Sequence, residues 1–271
     1  MVPFLSSLAE EYKQHSGNVL DFVGVGKNSS IEGVLSGECS AAVFASDGSE
    51  RYDEYEMNDA GGEPGVGSGA NEDDEIAAGG GANGGGEPGA GGGHLIPLAI
   101  AYEGVRLISN KDSGIKNITY RELVDLFTGE ASELGSKEVT LVVPKIGLPI
   151  RDIFEEIFPV SGSVDGRWRT LIPDSALVGA SEDEVISLVE SAPDSIGIIS
   201  LCNDASNVNT VSIDDSDPSS IDSYIAKREI MLFFNDDANI ASGNSIGYLI
   251  ELLSSGELEN VFVNNGLVPL L

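Results

Sequence analysis

The sequence is poor in basic residues, and this scarcity excludes two classes of partner. Its 271 residues include 14 Lys and Arg against 45 Asp and Glu, which gives a formal net charge of −31. A protein that binds a nucleic-acid backbone needs clustered cations that displace counterions from the phosphates. An anionic membrane surface also attracts basic segments. We therefore expect neither nucleic acid nor an anionic membrane surface to be a partner.

Cysteine and long apolar runs are also scarce. The two cysteines, Cys39 and Cys202, each lie in a short apolar stretch, which favours buried free thiols over a disulfide. No run approaches the roughly 20 apolar residues of a membrane-spanning helix. Residues 1–17 lack the basic start and the apolar centre of a secretory leader. We expect this chain either to be cytoplasmic or to follow a removed leader.

Few residues suit catalysis. The two histidines, His15 and His94, lie at a predicted helix end and beside a glycine-rich tract, and neither is near a candidate nucleophile. No Ser-His-Asp order, Walker loop or metal-spaced Cys/His set is present in the sequence. We expect a protein that is not an enzyme and that carries no cofactor and no metal.

The acidic excess has two explanations, and the sequence leaves both open. A carboxylate-rich surface stays solvated where high salt shortens the Debye length to a few Å, as in a halophilic protein. An ordinary acidic secreted protein could have the same composition. In either case, 41% hydrophobic residues suffice for one large or two smaller globular units.

Glycine is concentrated in one tract. Residues 61–93 hold 15 of the 34 glycines, and Gly-Gly-Glu-Pro-Gly occurs at both 61–65 and 85–89. Glycine at this density has much backbone entropy to lose and few side chains to pack. We expect residues 58–94 to form a disordered, acidic insertion.

Helical and strand-like periodicities alternate outside this tract. They predict helices at 5–12, 30–35, 120–127, 151–157, 181–190 and 245–253, and strands at 19–23, 41–45, 95–109, 139–143, 195–201 and 225–234. Thr119 and Glu122 have the spacing of a capping box, and Gly129 is expected to end that helix. The alternation predicts an α/β architecture with largely parallel sheets. The long extended runs before and after the central block predict that the chain crosses to a second lobe and returns.

The single tryptophan, Trp168, lies between two arginines in Gly-Arg-Trp-Arg. We expect it to pack against the protein, because a large aromatic side chain gains much from burial. A position at the mouth of a ligand cleft is the alternative.

Several segments, taken in order, are similar to those of one family. They are GVGKNSSI at 24–31, ASD at 45–47, IPLAI at 96–100, LISNK at 107–111, ITYRELVDLFTG at 118–129, RDIF at 151–154, SIGIISL at 195–201, LSSG at 253–256 and NGLVP at 265–269. The chain resembles the type 2 periplasmic solute-binding proteins, specifically the phosphate-binding proteins of ABC importers. The resemblance covers nearly the whole chain apart from the glycine tract.

This resemblance implies an α/β, two-lobed type 2 periplasmic-binding-protein fold with two hinge strands. Lobe 1 would comprise residues 1–108 and 226–271, including the insertion at 58–94, and lobe 2 residues 109–225. The protein would be an extracellular or periplasmic monomer, with lipid anchoring as an option. It would bind inorganic phosphate or a related oxyanion between the lobes and deliver it to an ABC permease.

The resemblance also implies which residues bind the anion. Ser46 and Asp47 match the family's Ser-Asp at the end of the second strand, where Asp47 would accept the proton that HPO4 carries and sulfate lacks. Helix starts supply N–H groups and hydroxyls to an oxyanion. The complete set of ligand-binding candidates is Lys27, Asn28, Ser29, Ser30, Ser46, Asp47, Lys145, Gly147 and Arg151.

One segment departs from the family's pattern. Gly147-Leu148-Pro149-Ile150 stands where the family has Gly-Ser-Gly-Thr, so two hydroxyls and one backbone donor are lost. Each hydrogen bond to a charged group is worth roughly 1.5 to 3 kcal/mol, so these losses lower the affinity for an anion steeply. An alternative function follows, in which a binding-protein fold with a degenerate ligand site acts as a surface interaction protein.

Overall fold

The computed structural model describes residues 2–24, 27–36, 38–46, 76–79, 95–203, 206–235 and 245–270. The chain divides into unit 1, Met1–Tyr102 with Glu229–Leu271, and unit 2, Glu103–Arg228. The sequence-based division placed these two boundaries after residues 108 and 225. No helix within the described ranges has the length and apolarity needed to cross a membrane.

The helices and strands of the described residues alternate along much of the chain. In chain order they are α1 (Val2–Ser16), β1 (Asp21–Gly24), α2 (Lys27–Leu35), β2 (Ala41–Ser46), β3 (Ile76–Gly79), β4 (Leu95–Ser109), β5 (Asn117–Ile118), α3 (Tyr120–Phe127), β6 (Glu133–Leu134), β7 (Lys137–Glu138), β8 (Thr140–Pro144), α4 (Pro149–Ile157), β9 (Ser161–Val164), β10 (Arg167–Thr170), β11 (Leu177–Gly179), α5 (Glu182–Ser191), β12 (Ser195–Ser200), β13 (Asn209–Ile213), β14 (Lys227–Asn235), α6 (Ser245–Ser254), α7 (Glu259–Asn264) and β15 (Val268–Pro269).

Unit 1 is built on a sheet with the strand order β1-β3-β2-β14-β4, and β15 pairs with β4. Along β2, Ala41 and Val43 belong to the core cluster that contains α1, α6 and α7. Ala42 and Phe44 belong to a second cluster with α2, in which Phe44 stacks on Phe233 at 4.6 Å between ring centroids. This alternation with a period of two residues shows that helices cover both faces of β2.

Three expectations need correction in unit 1. The pairs β1–β3, β2–β3, β2–β14 and β4–β15 are antiparallel, so the expectation of largely parallel sheets is wrong here. Disorder is wrong for Ile76–Gly79, an uncharged stretch that forms β3 between β1 and β2; the rest of residues 58–94 lies outside the described residues. Cys39 and, in unit 2, Cys202 form no disulfide with each other, as expected, but both are half-buried rather than buried.

Unit 2 contains the strand order β4-β12-β8-β11, in which β8, β11 and β12 are parallel. Helix α5 packs on this sheet through Val185 and Val189. A Cβ atom at Gly197 of β12 would lie 2.6 Å from the Val189 side chain, so glycine allows the helix to approach closely. Helices α3 and α4 meet at an aromatic cluster in which the ring centroids of Phe127 and Phe154 are 4.8 Å apart. The pairs β8–β11, β8–β12 and β5–β13 are parallel as predicted, but β4 pairs antiparallel with β12 and β13, so the expectation of largely parallel sheets is only partly met in this unit.

The predicted long strand at 95–109 is confirmed as β4. One boundary between the units lies within β4, after Tyr102, and the other lies within β14, after Arg228. On the unit 2 side, a Cβ at Gly104 would lie only 2.3 Å from the carbonyl oxygen of Ala226. The Val105 N–H donates to that oxygen at 2.9 Å, and the Tyr224 hydroxyl donates to the Val105 carbonyl at 2.8 Å. Burial raises the pKa of this tyrosine well above its ordinary value. The two connecting segments are therefore held together within unit 2.

Strands β9 and β10 form a hairpin that the sequence interpretation missed. Asp165 and Gly166 link them with φ values of 52° and 73°, as in a type I′ turn. The Asp-Gly pair was the available signal. Trp168 lies on β10 and is 75% exposed, so the expectation that it packs against the protein is wrong.

Candidate functional site

Helix α2 of unit 1 presents a buried hydroxyl in its first turn. The Ser30 side chain is fully buried, and its Oγ has no hydrogen-bond partner among the described residues. A buried hydroxyl without a partner costs about 1 to 3 kcal/mol. The first turn also has N–H groups that lack intrahelical acceptors, and it contains no acidic residue. This combination suits an oxyanion, which accepts hydrogen bonds from hydroxyl and amide donors.

The position of Ser30 follows from the packing of its neighbours. Ile31 and Val34 follow at a helical spacing and pack against Phe44 and Phe233 of the sheet. This packing fixes one side of α2 to β2 and β14. Ser30 immediately precedes Ile31 on this helix and is itself fully buried.

The other candidates of unit 1 fall at two places in this fold. Lys27 and Asn28 begin α2, and only their backbone is described. Ser29 is exposed, whereas Ser46 is buried as the last residue of β2. Asp47 lies outside the described residues. The prediction that Asp47 accepts a proton from the ligand therefore stays a prediction.

Lys145 and Gly147 of unit 2 lie in the turn between β8 and α4. The Leu148 N–H donates to the Lys145 carbonyl at 3.1 Å, and Gly147 has a φ of 91°, as in a type II turn. The Lys145 N–H donates to the carbonyl of Gly179 at 2.8 Å, while its side chain is exposed. The turn therefore holds one exposed cation at the end of β8.

The start of α4 has few hydrogen-bond donors. Leu148 is the N-cap residue and makes no side-chain capping bond, and Pro149 follows it in the first turn. The Arg151 N–H donates to the Leu148 carbonyl at 2.9 Å. A proline has no N–H and a leucine has no hydroxyl, so this helix start lacks the side-chain donors that the family's pattern would supply.

Arg151 is buried within unit 2, and its guanidinium bonds to three groups there. Nε donates to Glu155, Nη1 donates to the Pro144 carbonyl at 3.3 Å, and Nη2 donates to Thr170 Oγ1 at 3.1 Å. A guanidinium has five N–H donors, so two have no acceptor among the described residues. The i+4 spacing made Glu155 a predictable partner. Thr170 was missed because the hairpin that carries it was not predicted.

Unit 1 thus contains α2 and the end of β2, with Lys27, Asn28, Ser29, Ser30 and Ser46. Unit 2 contains the β8–α4 turn, with Lys145 and Gly147, and the buried Arg151. Each group follows a strand, as the sequence predicted. That no described residue bonds to the Ser30 hydroxyl could not be predicted, because it depends on the positions of all its neighbours in the fold.

Solved structures of three bacterial proteins are similar to nearly the whole chain. They are an ABC-type phosphate transport receptor from Vibrio cholerae (TM-score 0.63, 17% identity, 98% of this chain and 94% of that chain), PstS from Borrelia burgdorferi (0.64, 16%, 98% and 94%) and a possible phosphate binding protein from Planctomyces limnophilus DSM 3776 (0.65, 12%, 99% and 89%). This chain has their fold. It is the two-unit α/β fold of type 2 periplasmic binding proteins, as the sequence predicted.

No family model and no curated protein matches the sequence. The identities to the three solved structures are 12 to 17%, and similarity at this level establishes the fold alone. The ligand has to be argued from the residues of the chain itself.

Proposed function

We propose that this chain is an extracytoplasmic solute-binding protein that binds inorganic phosphate or a related oxyanion for an ABC importer. The observation that carries the proposal is the fully buried Ser30 hydroxyl in the first turn of α2, which has no partner among the described residues. The names of the structurally similar proteins, a phosphate transport receptor and a possible phosphate binding protein, support the choice of anion.

In this proposal the ligand groups come from two segments. Ser30 and the N–H groups of α2 donate hydrogen bonds to the anion, with Lys27, Asn28, Ser29 and Ser46 beside them. Asp47 accepts the proton of a protonated phosphate, which would discriminate against sulfate.

The second segment runs from Lys145 to Arg151. Lys145 and the remaining N–H donors of Arg151 supply positive charge, and Gly147 allows the backbone to turn there. The hydroxyls missing at Leu148 and Ile150 and the N–H missing at Pro149 make this segment the weaker contributor. We therefore expect weaker binding than in a protein with a complete Ser/Thr loop.

The alternative function, a surface interaction protein with a degenerate ligand site, is not favoured. A decayed site would gain stability by losing a buried hydroxyl that has no partner, because such a hydroxyl costs about 1 to 3 kcal/mol. This chain nevertheless has a serine at position 30, with no partner for its hydroxyl among the described residues. We treat the protein as a binding protein rather than an enzyme.

The proposal includes a location and a partner. The protein would act outside the cytoplasm as a monomer, extracellular or periplasmic, and would deliver its ligand to an ABC permease. The net charge of −31 fits a halophilic source, where salt screens the repulsion between the protein and an anion.

Titration calorimetry tests the function. Phosphate, sulfate and molybdate are titrated separately into the protein at about 0.1 M and about 2 M NaCl, which shortens the Debye length from about 10 Å to a few Å. We expect saturable one-site binding of phosphate and weaker binding of sulfate. Absence of heat with all three anions at both salt concentrations would refute the proposal and favour the alternative.

A further inference from the structure

The β9–β10 hairpin of unit 2 has a charge opposite in sign to that of the whole chain. Residues 161–170 contain Arg167 and Arg169 and a single acidic residue, Asp165, whereas the chain has a net charge of −31. Both arginines are exposed, and neither has an ion-pair partner within the described ranges. The hairpin is therefore a local cationic surface on an acidic protein, which favours an anionic partner.

Trp168 lies between these arginines and is not covered by its own hairpin. The indole is 75% exposed, and the residue opposite Trp168 on β9 is Ser163. A serine side chain is too small to cover an indole. Exposed tryptophan and arginine are the residue types that contribute most to the binding energy at protein interfaces. This surface therefore has the composition of a binding site for a partner.

The hairpin also has unpaired backbone. Within the described part of the chain, β9 and β10 pair only with each other. The base of the hairpin is fixed to unit 2, because Val160 just before β9 is fully buried and Arg151 of α4 donates to Thr170. The outer edge of β10 can therefore accept an added strand on a fixed support, the geometry by which sheets bind extended peptides.

The side chains of β10 define what such a strand would carry. Successive residues of a strand point to opposite faces, so Arg167 and Arg169 share one face and Trp168 lies on the other. A strand added to this edge alternates in the same way. Acidic side chains would then face the arginines, and apolar side chains would extend the face of the tryptophan.

We propose that this hairpin is a docking surface for an extended acidic segment of another protein, in which carboxylates alternate with apolar side chains. The segment pairs with the outer edge of β10, its carboxylates bind Arg167 and Arg169, and its apolar residues cover Trp168. An anionic lipid surface fits less well, because it offers no row of N–H and C=O groups to the strand edge.

Trp168 is the only tryptophan of the chain, so its fluorescence reports on this surface alone. The probe is a peptide of alternating Glu and Val residues, and the control peptide has the same composition with all Glu residues in one block. We expect the alternating peptide to shift the emission to shorter wavelength in a saturable way. Arg169→Glu should weaken this binding about 10-fold, because an attraction becomes a repulsion.

Arg121→Glu is the matched control variant. It makes the same change in charge on α3 of the same unit, where the Arg121 side chain is 90% exposed. It should leave the affinity within about 2-fold of wild type, because Arg121 lies outside the hairpin edge that pairs with the peptide and its exposed charge is screened by water and salt. Far-UV circular dichroism of both variants reports whether unit 2 remains folded.

Three results would overturn the proposal. In one, the block peptide binds as tightly as the alternating peptide, so that charge alone accounts for binding. In another, Arg169→Glu and Arg121→Glu lower the affinity for the alternating peptide equally. In the third, the alternating peptide does not shift the emission, whether or not vesicles with anionic lipids do.

Discussion

Ser30 and Ser195 are both fully buried serines, but their hydroxyls differ in what they contact. Ser195 Oγ lies 2.7 Å from the Ala192 carbonyl and 3.2 Å from the Val189 carbonyl. Ser30 Oγ has no partner among the described residues. In phosphate-free buffer, Ser195→Ala should lower the free energy of unfolding by about 1 kcal/mol, whereas Ser30→Ala should leave it unchanged or raise it. Urea denaturation of the two variants measures the difference.

The same pair of variants separates a structural role from a binding role. If Ser30→Ala destabilises the ligand-free protein as much as Ser195→Ala does, then the Ser30 hydroxyl stabilises the fold, and the main support for the anion site is lost. The sequence predicted that Ser30 lies at a helix start. Its burial depends on tertiary packing around α2, whose neighbours Ile31 and Val34 contact residues distant in the chain, so that part was not predictable.

Arg151 shows a second limit of prediction at this scale. Its place in α4 was predicted, and Glu155 at i+4 was a foreseeable partner. The bond to Thr170 depends on how the hairpin packs against α4, which no local pattern encodes. Whether Arg151 also donates to a ligand stays a prediction.

Among the helices, α3 has the most complete local sequence signal. Thr119 Oγ1 accepts from the Glu122 N–H at 3.2 Å, and the Glu122 carboxylate accepts from the Thr119 N–H at 3.0 Å, which confirms the predicted capping box. Two hydrogen bonds lower the pKa of the Glu122 carboxyl. The larger effect comes from the Thr119 backbone N–H and the smaller from the Thr119 hydroxyl. Thr119→Ala should cost about 1 kcal/mol in unfolding free energy at neutral pH.

The lowered pKa gives this contribution a definite pH dependence. The stabilisation is fully present above the ordinary glutamate pKa of 4.5 and is lost as the pH falls through the lower value of the folded state. Wild type should therefore be more stable than Glu122→Gln at neutral pH, and the difference should vanish in strong acid. Chemical denaturation as a function of pH tests this, and a difference that grows as the pH falls would contradict it.

An ion-pair cluster joins the strands β4 and β14 to α4 within unit 2. The Arg228 guanidinium pairs with Glu103 and with Glu156, and the Glu103 side chain is only 6% exposed. Burial disfavours the charge on Arg228, but the two carboxylates outweigh this effect and raise its pKa. Arg228→Met would leave Glu103 buried without a cation and should destabilise the protein by about 3 kcal/mol.

Two further variants control this prediction. Arg228→Met combined with Glu103→Gln should recover most of the loss, because no buried charge then remains unpaired. Arg121→Met removes an exposed pair with Asp125 and should change stability by less than about 1 kcal/mol. Thermal unfolding compares the three variants. A loss for Arg228→Met no larger than that for Arg121→Met would contradict the structural role of the cluster.

The elements that the sequence predicted are those with a strong local period or cap, such as α3, α5 and the long β4. The elements it missed are short. Strand β3 depends on pairing with β1 and β2, and β11 has three residues that pair with β8. Such strands form because neighbouring edges accept them, so their own residues carry little signal.

At the scale of the whole molecule, the net charge of −31 should make stability depend on salt. Repulsion among carboxylates disfavours the compact state, and salt screens it. We expect the midpoint of thermal unfolding to rise with NaCl, with most of the increase below about 0.5 M, where the Debye length is shortening most. A midpoint that is flat or falls over this range would contradict the role of charge repulsion.

The central claim is that Ser30 binds an oxyanion, and calorimetry of phosphate with wild type and Ser30→Ala tests it most directly. We predict saturable one-site binding to wild type and binding about 10- to 100-fold weaker to Ser30→Ala, the effect of one hydrogen bond to a charged ligand. Equal affinities of the two proteins for phosphate, or no binding to either, would contradict the claim.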